Sequence, residues 1–202
     1  DTVCQYLVEE NGKITFTGDT LPEKYQGNKT IDLGDKALIP CFADSHLHFI
    51  SYALISSTLD VRDIHNFDDL SDMIKSYIDK TGSKIVLGFG ISDHSVEEKR
   101  MITRTELDRI EKKKPVMLVK YDGHACVANS AMLNLIPARI KKLHGYNDDS
   151  GQIFHDAFYK AIDFTSSKVS IFSLLKYMVN GVDKMADRGI GLVHPADVVG
   201  FP

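Results

Sequence analysis

From residue 38 onward, apolar runs of strand length alternate with amphipathic stretches of helical period. This alternation limits the fold more than any other feature of the chain. The runs lie near residues 38–43, 84–89, 116–121 and 190–194. Between the first two, Leu70, Met73, Ile74, Tyr77 and Ile78 recur at helical spacing, after the cap-forming Asn66 and before Gly82. Thr103 followed by Glu106 has the pattern of a capping box and opens a second helix, with Leu107 and Ile110 on one side. The longest helix is expected from roughly Ser170 to Arg188; Phe172, Leu175, Val179, Val182 and Met185-Ala186 recur along it, and Gly189 ends it. Apolar strands alternating with such helices predict an α/β fold, a parallel sheet or barrel of βαβ units. Leu38–Ala43 is expected to be a buried parallel strand.

The first 37 residues have a different pattern. Val3–Val8 and Lys13–Thr17 are strand-like and flank Asn11-Gly12, a strong hairpin signal. Thr30–Gly34 is expected to be another short strand. The chain thus divides into a small β unit, residues 1–37, and an α/β region, residues 38–202. A closed (β/α)₈ barrel needs about 250 residues, so four strands fit the first half of one. The alternative is an open α/β sheet.

The first apolar run leads into Ala43-Asp44-Ser45-His46-Leu47-His48. Residues i and i+2 of a strand share a face, so His46 and His48 converge, with Asp44 in the same phase. Two neutral imidazoles held this way are half a site for a divalent metal. Zinc is the first expectation; iron, manganese and nickel suit imidazole as well. The bland alternative is a polar strand end with two solvated histidines. Asp44 is a candidate to orient one of the imidazoles. Ser45 lacks a GxSxG setting and is not read as a nucleophile.

Composition excludes some classes. Lys and Arg are outnumbered, the formal net charge is −4, and the basic residues are scattered, so no nucleic-acid footprint is present. No apolar run is long enough to span a membrane. Cys4, Cys41 and Cys126 are far apart and odd in number, which favours a reducing compartment and a cytoplasmic location. Cys41 and Cys126 read as buried fillers.

Four blocks in order carry a resemblance: Lys36–His48; Leu87–Asp93; Pro115–His124 running into Asn129–Leu133; and Ser150–Ile153 followed by the long helix and Gly189–His194. Together they resemble the N-terminal part of the amidohydrolase superfamily, in its YtcJ-like, "amidohydrolase 3" branch of metal-dependent hydrolases. The resemblance implies a small β-sandwich-like domain beside a distorted TIM barrel, and hydrolysis of amide or cyclic amide C–N bonds by metal-activated water. It implies metal binding by His46 and His48, with further ligands and the proton-accepting Asp beyond Pro202. At the place of the family's acidic metal-site residue this chain has His155, with Asp156 beside it. Relatives have Trp-Asp after the Gly matching Gly90; this chain has Ile91-Ser92-Asp93-His94.

Asp122 and His124 follow a strand, where barrel active sites gather. His124 is read as a hydrogen-bond donor to a substrate carbonyl or oxyanion, and Asn129 as a helix cap. His94, Asp93 and His194 are candidate pocket residues, and His65 and His144 are surface histidines. The leading reading is the N-terminal fragment of a metal-dependent amidohydrolase acting on a small amide-type molecule, inactive alone. The competing one is an incomplete or degenerate module that binds a small ligand or a partner chain. A protein partner would be a second copy or the missing C-terminal half of the barrel.

Overall fold

A computed structural model describes residues 3–197. The chain forms two compact units, Asp1–Pro40 and Cys41–Pro202.

In the first unit, β1 (Tyr6–Glu10) and β2 (Lys13–Gly18) form an antiparallel hairpin with a register shift at Val8/Glu9. Asn11 and Gly12, both at positive φ, make its turn. This is the conformation a tight hairpin requires, and Asn and Gly adopt it at least cost. Tyr25 is buried beside Phe16, with ring centroids 6.1 Å apart. The strand expected at Thr30–Gly34 does not form, and Ile31 is exposed. With no neighbouring strand to complete its backbone hydrogen bonds, a five-residue apolar pattern stays irregular.

The second unit is an α/β structure. In order it contains β3 (Phe42–Leu47), α1 (Phe49–Ile55), β4 (Leu59–Asp60), α2 (Phe67–Thr81), β5 (Val86–Ile91), α3 (Arg104–Ile110), β6 (Val116–Lys120), β7 (Ala125–Ala128), α4 (Ser130–Leu135), α5 (Ala138–Lys141), β8 (Gln152–Phe154), α6 (His155–Ser166), α7 (Ile171–Ala186) and β9 (Ile190–Pro195). The caps form as the sequence predicts. Asn66 Oδ1 accepts the Asp69 N–H, and Thr103 and Glu106 close a reciprocal capping box.

The strands do not make one parallel sheet. β4 to β8 form a five-stranded sheet in sequence order, parallel across β4–β5–β6 and antiparallel across β6–β7–β8. β3 pairs in parallel with β9 in a separate two-stranded sheet. The α/β class holds, as a partial, unclosed barrel-like arrangement with a mixed sheet inserted between its two parallel strands. Covering both faces of the mixed sheet explains its continuous apolar runs. Val116 and Leu118 of β6, with Val127 of β7, join the core under α2 and α3. Met117 of β6, with Cys126 and Ala128 of β7, joins the core under α4 to α6. Period-2 alternation thus feeds two cores from one strand pair.

Two further expectations are corrected. The first strand of this unit begins at Phe42, not Leu38. Pro40 has no N–H to give a ladder, and pairing with β9 starts at Phe42↔Ile190. Nor is the strand buried, since Phe42 is 61% exposed. Cys41 is exposed; Cys126 is the buried filler, and burial pushes its thiol up to about 12. On α7 the stripe Phe172, Leu175, Val179, Val182 faces outward; Gly181 and Met185 are the buried residues of that helix. An alanine-sized group at Gly181 would meet Ala53 of α1, so this glycine sets how closely the two helices approach.

Candidate functional site

β3 carries Asp44 and His46 to its C-terminal end, and His48 follows as the N-cap of α1. The rings of His46 and His48 lie edge to face, with centroids 5.4 Å apart and planes at 88°. The strand spacing brings both imidazoles to one place. Asp44 does not bond an imidazole: its Oδ1 accepts the backbone N–H of His46 at 3.0 Å. The carboxylate near His48 is Asp197, just past β9. Its Oδ1 is 4.0 Å from His48 Nδ1, and its Oδ2 accepts the Ile50 N–H at 3.1 Å. Sequence reasoning missed Asp197. The available signal was an acid just after a strand that, as a parallel neighbour of β3, must end beside the two histidines. His194 lies on that neighbouring strand, between Val193, paired with Asp44, and Pro195, paired with Leu47.

A second group lies at the C-terminal ends of β5 and β6. Lys120, the last residue of β6, sets its Nζ 3.3 Å from Asp93 Oδ1 and 3.6 Å from Asp122 Oδ2. Burial opposes the charge on Lys120, but Asp93 and Asp122 outweigh it and raise its pKa. Burial likewise opposes the charge on Asp93, yet its own backbone N–H and Lys120 hold the carboxyl below its usual range. His94 Nε2 is 3.9 Å from the same Asp93 oxygen. Asp93 and Lys120 border a cleft of about 450 Å³ whose lining also includes Lys99, Arg100, Gln152 and Phe154; Asp122 and His94 are not part of that lining. Asp122 Oδ1 accepts the His124 N–H at 3.1 Å, and His124 Nδ1 is 3.2 Å from the hydroxyl of Tyr159 on α6. Lys120 and Tyr159 carried no assigned role in the sequence. Lys120 was visible only as a cation closing an apolar strand before Asp122.

His155 and Asp156 begin α6, directly after β8. His155 has φ 49° and stacks on His144, with centroids 4.7 Å apart and planes at 12°. Just before β8, Gly151 takes φ 74°, and a Cβ there would collide with the Ala128 carbonyl, so only glycine fits. His46, His48, His155 and Asp156 do not form one cluster. Among the described residues no group of three or more His, Cys, Asp or Glu is placed to hold a metal ion. The donor set fits a divalent metal as a half-site of two imidazoles. Asn129, fully buried, is a cap and a tether: Oδ1 accepts the Val116 and Met132 N–H groups, and Nδ2 donates to the Glu111 and Lys114 carbonyls.

No helix among the described residues is long and apolar enough to cross a membrane. Comparison with known proteins places the sequence. The chain is 31% identical over 129 residues to the putative amidohydrolase YtcJ of Bacillus subtilis (strain 168), covering 61% of this chain and 24% of that protein. It is 27% identical over 142 residues to the N-substituted formamide deformylase of Arthrobacter pascens, covering 67% and 26%. An uncharacterized metal-dependent hydrolase from Pyrococcus furiosus matches in structure with a TM-score of 0.68 and 26% identity, covering 95% of this chain and 40% of that one. The chain thus spans between 22% and 30% of the length of the curated relatives it matches. The profile of the Amidohydrolase family matches residues 29–186, and the chain belongs to that family.

Proposed function

We propose that this chain is the N-terminal part of a metal-dependent amidohydrolase that cleaves C–N bonds of small amides, in the cytoplasm. The observation that carries this reading is the convergence of His46 and His48 at a strand end in a chain whose residues 29–186 match the family. The activity in the name of the Arthrobacter pascens relative, deformylation of N-substituted formamides, makes formamides the first substrate class to try. His46 and His48 would hold the metal, zinc first. When bound, the metal supplies a water of lowered pKa and polarises the scissile carbonyl.

The remaining residues have supporting roles in this reading. Asp197, its Oδ1 4.0 Å from His48 Nδ1, is the carboxylate nearest to orient that ring when a metal is bound. His124 donates a hydrogen bond to the substrate carbonyl, and Asp122 fixes its backbone. Asp93, His94 and His194 line the substrate pocket. His155 and Asp156 stand where the family has its acidic residue, as candidates for a further ligand.

Calorimetric titration of the 202-residue chain with zinc tests the half-site. Weak uptake is expected at about pH 7.5, lost in His46→Ala and in His48→Ala and reduced at about pH 5.5, because protons and metal compete for the same ring nitrogens. Tight binding that survives both substitutions would overturn the ligand assignment. The chain alone is expected to hydrolyse no formamide, since two ligands do not make a hydrolytic site. A longer protein containing it is expected to do so with zinc. A second reading, an incomplete module that binds a partner chain, is favoured by the apolar outer face of α7. A monodisperse monomer in light scattering would count against it.

A further inference from the structure

The backbone around His124 is held at several points. Gly123 donates its N–H to the Lys120 carbonyl at 3.0 Å, and Asp122 Oδ1 takes the His124 N–H. Asp122 is in turn beside Lys120, which is braced by Asp93. With the backbone fixed, the imidazole retains ring rotation and a choice of tautomer. Its Nδ1 meets one group, the Tyr159 hydroxyl at 3.2 Å, and that hydroxyl has no other hydrogen-bond partner among the described residues. Tyr159 is itself placed by its neighbour Phe158, which is buried and packs edge to face on the tyrosine ring at 5.3 Å.

The electronic preference of a phenol decides the direction of this bond. Its oxygen lone pair is delocalised into the ring, so it donates better than it accepts, and a neutral imidazole has one bare nitrogen to receive a proton. On that preference the Tyr159 O–H would donate to Nδ1 across the 3.2 Å contact, and the ring proton would sit on Nε2, at the far end of the imidazole. We propose that Tyr159 is a positioning residue that locks His124 as the Nε2–H tautomer, with this N–H available to a substrate carbonyl. The proposal rests on the role given to His124 under Proposed function and adds the residue that sets its polarity.

Long-range ¹H–¹⁵N correlation on the histidine rings of the 202-residue chain, at a pH where His124 is neutral, tests it without turnover. The wild type is expected to show the Nε2–H pattern for His124. Tyr159→Phe, which keeps the ring and removes only the hydroxyl, is expected to convert it to a mixture of tautomers. An Nδ1–H pattern in the wild type, or an unchanged tautomer in Tyr159→Phe, would overturn the proposal. In a longer, active protein Tyr159→Phe is expected to lower kcat about tenfold with little change in KM. An unchanged kcat would overturn the link to catalysis. If the longer protein hydrolyses no amide while the tautomer switches as expected, the positioning stands and the hydrolase reading fails.

Discussion

The β4–β8 sheet and the β3–β9 pair lie in the same unit but differ in what covers them. Val116, Met117 and Leu118 of β6 are fully buried, whereas Phe42 of β3 and Leu192 of β9 are more than half exposed. Their helices differ in the same way. α2 has one apolar face, with Leu70 and Ile74 buried and acids and lysines outside. α7 is apolar on two faces: Gly181 and Met185 lie inward, and Phe172, at 82% exposed, lies outward. Parallel strands are stable where both faces are covered. The mixed sheet carries its own cover, whereas the β3–β9 pair has α7 packed against β9, with α1 packed on α7. The two histidines belong to the less covered region, and the charged cluster around Lys120 to the self-sufficient one.

The largest expected effect tests whether the mixed sheet carries the stability. Leu118→Ala removes a fully buried side chain from the core under α2 and α3 and is expected to cost about 2–5 kcal/mol in urea unfolding. A loss below about 1 kcal/mol would mean that this sheet is not the stabilising half. Asn129→Ala is next, at about 3 kcal/mol, since it removes a helix cap and leaves the Val116 N–H and the Glu111 and Lys114 carbonyls without their partner. Asn129→Asp keeps both acceptor bonds and loses the donors, which separates cap from tether.

Glu106→Gln is expected to cost about 1 kcal/mol at neutral pH and to change the acid limb of stability. The Arg100 guanidinium, against some opposition from burial and with help from Thr103, holds the Glu106 carboxyl down at about 2, from an ordinary 4.5. A carboxylate whose folded pKa is depressed contributes stability above its unfolded pKa and loses it as pH falls through the folded value. The wild type should therefore shed this contribution between pH 4.5 and about 2, and Glu106→Gln should not. The smallest effect is expected on the outer face of α7. Val179→Ser should change stability by less than about 0.5 kcal/mol while raising solubility, and a clear destabilisation would show that this face is covered in solution.

Local chemistry was legible where short-range rules suffice. The Asn11-Gly12 hairpin, the caps at Asn66, Thr103 and Asn129, and the convergence of His46 and His48 follow from spacing within a few residues. What covers a face is not local. The period of Phe172, Leu175, Val179 and Val182 says that they share a side of α7. It does not say which side meets the core, because the adjacent side, with Leu174, Met178 and Met185, is apolar as well. Leu38 and Ile39 look like a buried strand, yet among the described residues they pair with none, and the ladder to β9 starts at Phe42. Asp197 could be assigned to His48 only once β3 and β9 were known to be neighbours, and Tyr159 to His124 only once α6 was placed beside the turn after β6.

The sequence alone therefore determined the α/β class, the family and the pair of imidazoles. These depend on periodicities and motifs that the backbone converts into directions over one turn or one strand. Tertiary structure alone decided that residues 59–154 close into their own doubly covered sheet, that β3 and β9 become neighbours across that insertion, and that the outer face of α7 lies exposed. Hydrophobic burial is non-directional. An apolar stripe records that it needs a partner, and only the assembled chain specifies which surface reaches it.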